Sequence, residues 1–195
     1  MTRTSIICEG EIAVGANVTY FEAPGKSNTE ETLRLAIEAA QEKGLSRIVV
    51  ASTTGATARR AAEMVEGTDI TLVIVPHQFG WKDEPEFDLD LVPELEGQGH
   101  VFYAATMPFH TGDFYGNEAG TAMANILRVF GQGTKVCIEI GLMAADGGHV
   151  TQDEECVLVA GTGRGADTAM VATAAPTMRL GEFTVHEILC RPLVR

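Results

Sequence analysis

Residues 52–57, Ser-Thr-Thr-Gly-Ala-Thr, form a small, hydroxyl-rich turn between the β-branched run RIVVA and the helical stretch that starts at Ala58. Ala58, Ala61, Ala62 and Val65 recur at i, i+3, i+4 and i+7, the spacing of one helical face. A strand therefore ends, a flexible turn opens, and a helix begins with its free N–H groups aimed back at that turn. Free donors and the positive end of the helix dipole coincide there, which suits a phosphate or another anion. Ser52, Thr53, Thr54, Gly55, Ala56 and Thr57 are the candidate cradle.

A second small loop, Gly161-Thr162-Gly163-Arg164-Gly165-Ala166-Asp167, follows the apolar run CVLVA. Its text fits G-x-G-x-x-G/A, but the residues from Thr168 read as a strand, so no βαβ unit completes a dinucleotide fingerprint. Gly161, Thr162, Gly163, Arg164 and Gly165 are the candidate contacts, with Arg164 the guanidinium placed to meet a phosphate. His77 stands in a third loop, 77–81, with Phe79 and Trp81 as aromatics able to stack on a ring. His110 shares a loop with Asp113 at a spacing that matches no metal site. Glu139, among apolar neighbours, reads as one half of a salt bridge. No G-x-S-x-G elbow, H-E-x-x-H pair or Walker lysine is present.

These loops need strands and helices to hold them. Residues 17–21 read as a first strand and residues 70–75 as an apolar central strand buried on both faces. Residues 101–105, 156–160, 168–173 and 185–190 read as further strands, the last two antiparallel to the rest. Asn28 with Glu31 approximates a capping box at the start of a helix with the stripe Leu33, Ala36, Ile37 and Ala40, ended by Gly44. On its surface Glu30 is spaced to pair with Arg34. A short helix covers 91–96. Asn117 caps a helix expected to bury Ala119, Ala122, Met123, Ile126 and Phe130. Residues 135–146 fit either period: Val136, Ile138 and Ile140 alternate like a strand, and Val136, Ile140, Met143 and Ala144 fit a helix.

The whole is an α/β fold, three layers (α/β/α) around a mostly parallel sheet, with residues 17–195 as one domain and residues 1–16 as an extension. In such sheets ligands bind at the carboxyl ends of the strands, where one cleft would gather the three loops. A chain of 195 residues can bury a sizeable core. A net charge of −13 speaks against nucleic-acid and anionic-membrane partners. Cys8, Cys137, Cys156 and Cys190 form no C-x-x-C pair and read as reduced thiols. Without a signal peptide or a run of about 20 apolar residues, the chain is expected to be soluble and cytoplasmic.

IVVASTTGATARRAAEMV and CVLVAGTGRGADTAMV resemble the strand, loop and helix, and the closing strands, of the pyruvate kinase C-terminal α/β domain. Together with NVTYFEAPGKSNTEETLRLA and FGQGTKVCIEIGLMAADGG, they look like the small stand-alone archaeal and bacterial proteins built from that domain alone. The resemblance runs from Asn17 onward and implies a helix for residues 135–146. It also implies that the catalytic barrel is absent and that the chain is not a pyruvate kinase. In some pyruvate kinases the matching loop holds a phosphate of a sugar bisphosphate effector. Ser52, Thr54, Gly55 and Thr57 keep that loop's character, while Thr53 and Ala56 stand where basic residues are common. The expected ligand thus carries one phosphate, with FMN the first candidate and flavin-dependent chemistry the corresponding enzymatic reading. The alternative is a non-catalytic regulatory or assembly module that senses a phosphorylated metabolite. A homo-oligomer is expected from the resemblance.

Overall fold

The computed structural model describes residues 17–194; the expected extension, residues 1–16, and Cys8 within it lie outside the described residues. Seven strands form one sheet: β1 (Thr19–Phe21), β2 (Arg47–Ala51), β3 (Thr71–Val75), β4 (Val101–Phe102), β5 (Glu155–Ala160), β6 (Thr168–Thr173) and β7 (Thr184–Pro192). Their order is β1-β7-β6-β5-β2-β3-β4. β2 pairs in parallel with both β3 and β5, β3 with β4, and β1 with β7, whereas β6 runs antiparallel to β5 and β7. The carboxyl ends of β5, β2 and β3 therefore lie side by side at one edge of the sheet.

The apolar runs are unbroken because both faces are covered. Ile48, Val50, Leu72, Ile74, Val157 and Val159 pack under α1 (Thr29–Lys43), α2 (Ala56–Val65) and α3 (Val92–Gly97). Val49, Val73, Val75, Cys156, Leu158 and Ala160 pack on the opposite face, mainly under α6 (Gln132–Asp146). Successive strand residues alternate between the two cores, as the pleat requires. The helix implied for residues 135–146 is present, and nearly all of α6 is buried, which is why its apolar residues satisfied both periods.

Cys137, Cys156 and Cys190 are free and buried. Burial pushes the Cys156 thiol up to about 12 and the Cys190 thiol up to about 11, so neither is a ready thiolate at neutral pH.

Five local expectations are corrected. The strand at 185–190, expected with 168–173 to run antiparallel to the rest, is β7, which runs parallel to β1 and in the direction of β5, because β6 between them is antiparallel to both. Asn28 forms no capping box: a 3-10 turn, Lys26–Asn28, precedes α1, so Asn28 already has helical dihedrals, and its amide donates to the Ala23 carbonyl. Glu30 bonds to Arg60 on α2 instead of Arg34, which is held by Glu31 and Glu38. The strand expected over 101–105 ends at Phe102; Tyr103 N–H still donates to the Ile74 carbonyl at 2.9 Å, and its ring packs edge-on against His149. The helix expected after Asn117 is present as α5 (Ala119–Leu127), continued by a 3-10 turn, Arg128–Phe130, and preceded in the loop by α4 (Gly112–Tyr115). Asn117 Oδ1 accepts from Ala119 N–H at 3.2 Å, but α5 buries Ala124 rather than the expected face. Ile126 and Phe130 stay 64% and 53% exposed because no described element covers them.

Candidate functional site

The three loops named from the sequence line one cavity of about 910 Å³ at the carboxyl ends of β2, β3 and β5. Its position follows from topology: neighbouring parallel strands deliver their exit loops to the same edge. Ser52, Thr53, Thr54, Ala56 and Thr57 form one wall, Gly161, Gly163, Arg164 and Gly165 another, and His77 with Trp81 a third.

At the first wall α2 starts at Ala56, two residues earlier than its apolar stripe, so Ala56 and Thr57 belong to its opening turn. Their N–H groups have no acceptor among the described residues, as expected of first-turn donors. The next donor, Ala58 N–H, is taken by the buried Ser52 hydroxyl at 3.2 Å. Gly55 does not line the cavity. It lies beneath α3's approach, where an added Cβ would stand 3.0 Å from Leu91 Cδ2.

The second wall is clamped to the entry of α1 by Asp167, which is fully buried. Its Oδ2 accepts from Gly25 N–H at 2.9 Å and Thr162 N–H at 3.0 Å, and its Oδ1 accepts from the Thr168 hydroxyl at 2.9 Å. The Thr29 hydroxyl accepts from Ala166 N–H at 3.0 Å. These bonds bring Lys26, Thr29 and Glu30 to the cavity rim. Thr162 does not line the cavity; its N–H is committed to Asp167. Arg164 is exposed and forms no ion pair among the described residues.

Sequence reasoning missed the far end of the cavity, where His110, Arg128, Lys135 and Glu139 gather. Lys135 and Glu139 stand one turn apart on α6, are 1% and 3% exposed, and form an ion pair. The expected salt bridge at Glu139 is therefore present. Glu139 Oε1 also accepts from Phe109 N–H at 3.1 Å and meets His110 Nδ1 at 3.1 Å. Burial lowers the pKa of Lys135, opposed by the Glu139 charge. Burial lowers that of His110 too, helped by the nearby Lys135 charge and opposed by Glu139. Trp81 lies edge-on to His110, with ring centroids 5.0 Å apart, and 5.6 Å from His77, which is bonded to Glu86 at 3.0 Å. A lysine and a glutamate four apart within an apolar run was the available signal. The contribution of His110 arises across 29 residues and had none.

Cations are gathered here within an acidic chain. Arg60 is held by Glu30 and Glu63, whereas among the described residues Arg128 is bonded only to the neutral side-chain oxygens of Gln132 and Asn125. Val75, Pro76, Met107, Val136, Ile140 and Met143 supply apolar lining to the same cavity. The arrangement can hold an anionic group at residues 52–57 with an apolar body beside it.

Two solved structures are similar in part. One is a pyruvate kinase from Cryptosporidium parvum, 15% identical over 75% of this chain and 22% of that one, with a TM-score of 0.42. The other is Cryptosporidium parvum pyruvate kinase in complex with ADP, 16% identical over 73% of this chain and 22% of that one, with a TM-score of 0.40. The chain thus spans about a fifth of the length of the kinases it matches. The family model described as pyruvate kinase, alpha/beta domain, matches residues 30–172. With that match across most of its length, the chain belongs to the pyruvate kinase alpha/beta domain family.

Proposed function

We propose that the chain binds a phosphate-bearing small molecule in the cavity at the carboxyl ends of β2, β3 and β5, with FMN the first candidate. The observation that carries this reading is the opening turn of α2, whose unpaired Ala56 and Thr57 N–H groups adjoin a hydroxyl-rich wall in the same cavity as Arg164. For FMN, the phosphate would be held by residues 52–57 and Arg164, and the ring by Trp81 and the apolar lining. The flavin would supply hydride or electron transfer when bound.

The test is a fluorescence titration of FMN with the purified chain, with inorganic phosphate as competitor. Saturable quenching at micromolar concentration, relieved by phosphate, is the expected result. Arg164→Ala, an exposed change that spares the core, should weaken binding roughly tenfold or more through loss of a charge-assisted bond. Unchanged fluorescence at micromolar protein would sink the FMN assignment, and a thermal-shift series of sugar phosphates and nucleotides would then decide whether any phosphate ester binds.

The second reading, an assembly or sensing module, is favoured by a separate feature. Phe114, Tyr115, Ile126, Val129 and Phe130 are 84%, 65%, 64%, 65% and 53% exposed, an apolar surface of the kind subunit contacts cover. A second copy of the chain is the proposed occupant, in keeping with the homo-oligomer suggested by the family resemblance. Light scattering at the monomer mass would remove that proposal.

A further inference from the structure

An anion cradle accounts for one end of the cavity and leaves the other unexplained. There Glu139 Oε1 is fixed by Phe109 N–H and also meets His110 Nδ1. A neutral imidazole that donates from Nδ1 to a carboxylate keeps its proton on that nitrogen, which leaves a lone pair on Nε2. His110 Nε2 has no hydrogen-bond partner among the described residues, and His110 lines the cavity. Burial, helped by the Lys135 charge and opposed by Glu139, lowers the imidazole's pKa, which favours the neutral form. Fastening residues 108–110 to α6 requires only the Phe109 bond, so it does not explain an oriented imidazole at the cavity wall. Lys135 and Arg128 line the same end and would favour negative charge developing nearby.

We infer that His110 is a general base toward the ligand, and that the ligand is a phosphate ester bearing a carbonyl with an acidic C–H beside it. This rests on the anion-site reading above. Nε2 accepts the proton from that carbon, the C–H electron pair becomes the new C=C bond, and the carbonyl π pair moves onto oxygen. Lys135 and Arg128 stabilise that oxyanion. Return of a proton from Nε2 to carbon restores the carbonyl, so no oxidant or reductant enters. Glu139 is a positioning residue: it holds the Nδ1–H tautomer and stabilises the imidazolium formed in the step.

The probe is dihydroxyacetone phosphate with the full chain in D2O, followed by proton NMR for loss of carbon-bound hydrogen and by phosphorus NMR for binding. Exchange above the protein-free rate is expected. His110→Gln should lower the exchange about 10²- to 10⁴-fold while phosphorus shifts on binding persist. The rate should be level near neutral pH and fall in acid as His110 protonates. Glu139 and Lys135 on α6, Arg128 after α5, and His77 across Trp81 are the ionisable groups facing it. Glu139→Gln should move that acid limb and slow exchange, and Glu139→Asp should restore part of both. Binding without exchange above background, or exchange unchanged in His110→Gln, overturns the inference and leaves the anion site standing. Absence of phosphorus shifts with dihydroxyacetone phosphate overturns this inference alone when FMN or another phosphate ester still binds in the titrations above, and the anion site falls with it only when those fail too.

Discussion

Asp167 holds the glycine loop against the start of α1, and its removal should expose how much of the site depends on that clamp. Asp167→Ala deletes the acceptor of two backbone N–H groups and one buried hydroxyl. Each donor left without a partner costs about 1–3 kcal/mol, and release of a buried carboxylate from the interior offsets part of the total. A net loss of about 4 kcal/mol is expected, a large fraction of the roughly 5–15 kcal/mol by which a domain is stable. At about 2–4 °C per kcal/mol for this chain length, the melting temperature should fall by roughly 8–16 °C. Asp167→Asn should cost only about 1 kcal/mol: its oxygen can serve Gly25 and Thr162 while the amide donates to a reversed Thr168 hydroxyl. Urea unfolding of the three proteins gives the difference directly. An alanine variant within 0.5 kcal/mol of the native chain, with unchanged phosphate binding, would refute the clamp.

Two further expectations follow from the same structure. Gly165→Ala should cost about 1–3 kcal/mol more than Gly163→Ala by urea unfolding. Both have φ near +80°, but only at Gly165 would the new methyl meet Thr29 Oγ1 at 2.4 Å and Lys26 Cα at 2.7 Å, against open space at Gly163; equal costs would show that the loop does not abut α1. The second concerns acid. Burial lowers the pKa of His100 below its ordinary 6.5, and its Nδ1 accepts from Leu72 N–H at 3.3 Å. The unfolded chain therefore takes up this proton first, so the contribution to stability is complete above pH 6.5 and is lost as pH falls through the lowered folded value. Urea midpoints should drop between pH 7.5 and 5.5, less so in His100→Asn, which keeps an acceptor without titrating; an identical drop in both proteins would remove His100 as a cause.

Local pattern alone determined much of this protein. The alternation of apolar strands with 3.6-period helices fixed the layered α/β/α fold, because each run records the faces it must bury. The small residues at 52–57 and 161–165 marked the two loops that line the cavity, since tight turns and close backbone approach restrict residue type. Tertiary packing decided what local pattern left open or misdirected. Residues 135–146 satisfied two periods because nearly every position of α6 is buried, and only its seat on Val49, Leu158 and Met170 settles the helix. The stripe on α5 looked like a core face, yet no described element lies over Ile126. Glu30 found Arg60 across 30 residues in place of Arg34 one turn away, because α1 and α2 lie side by side. The meeting of His110 with Glu139 arises in the same way. It forms because the segment after β4 folds back over α6, and a contact made across such a separation leaves no trace in the spacing of neighbours.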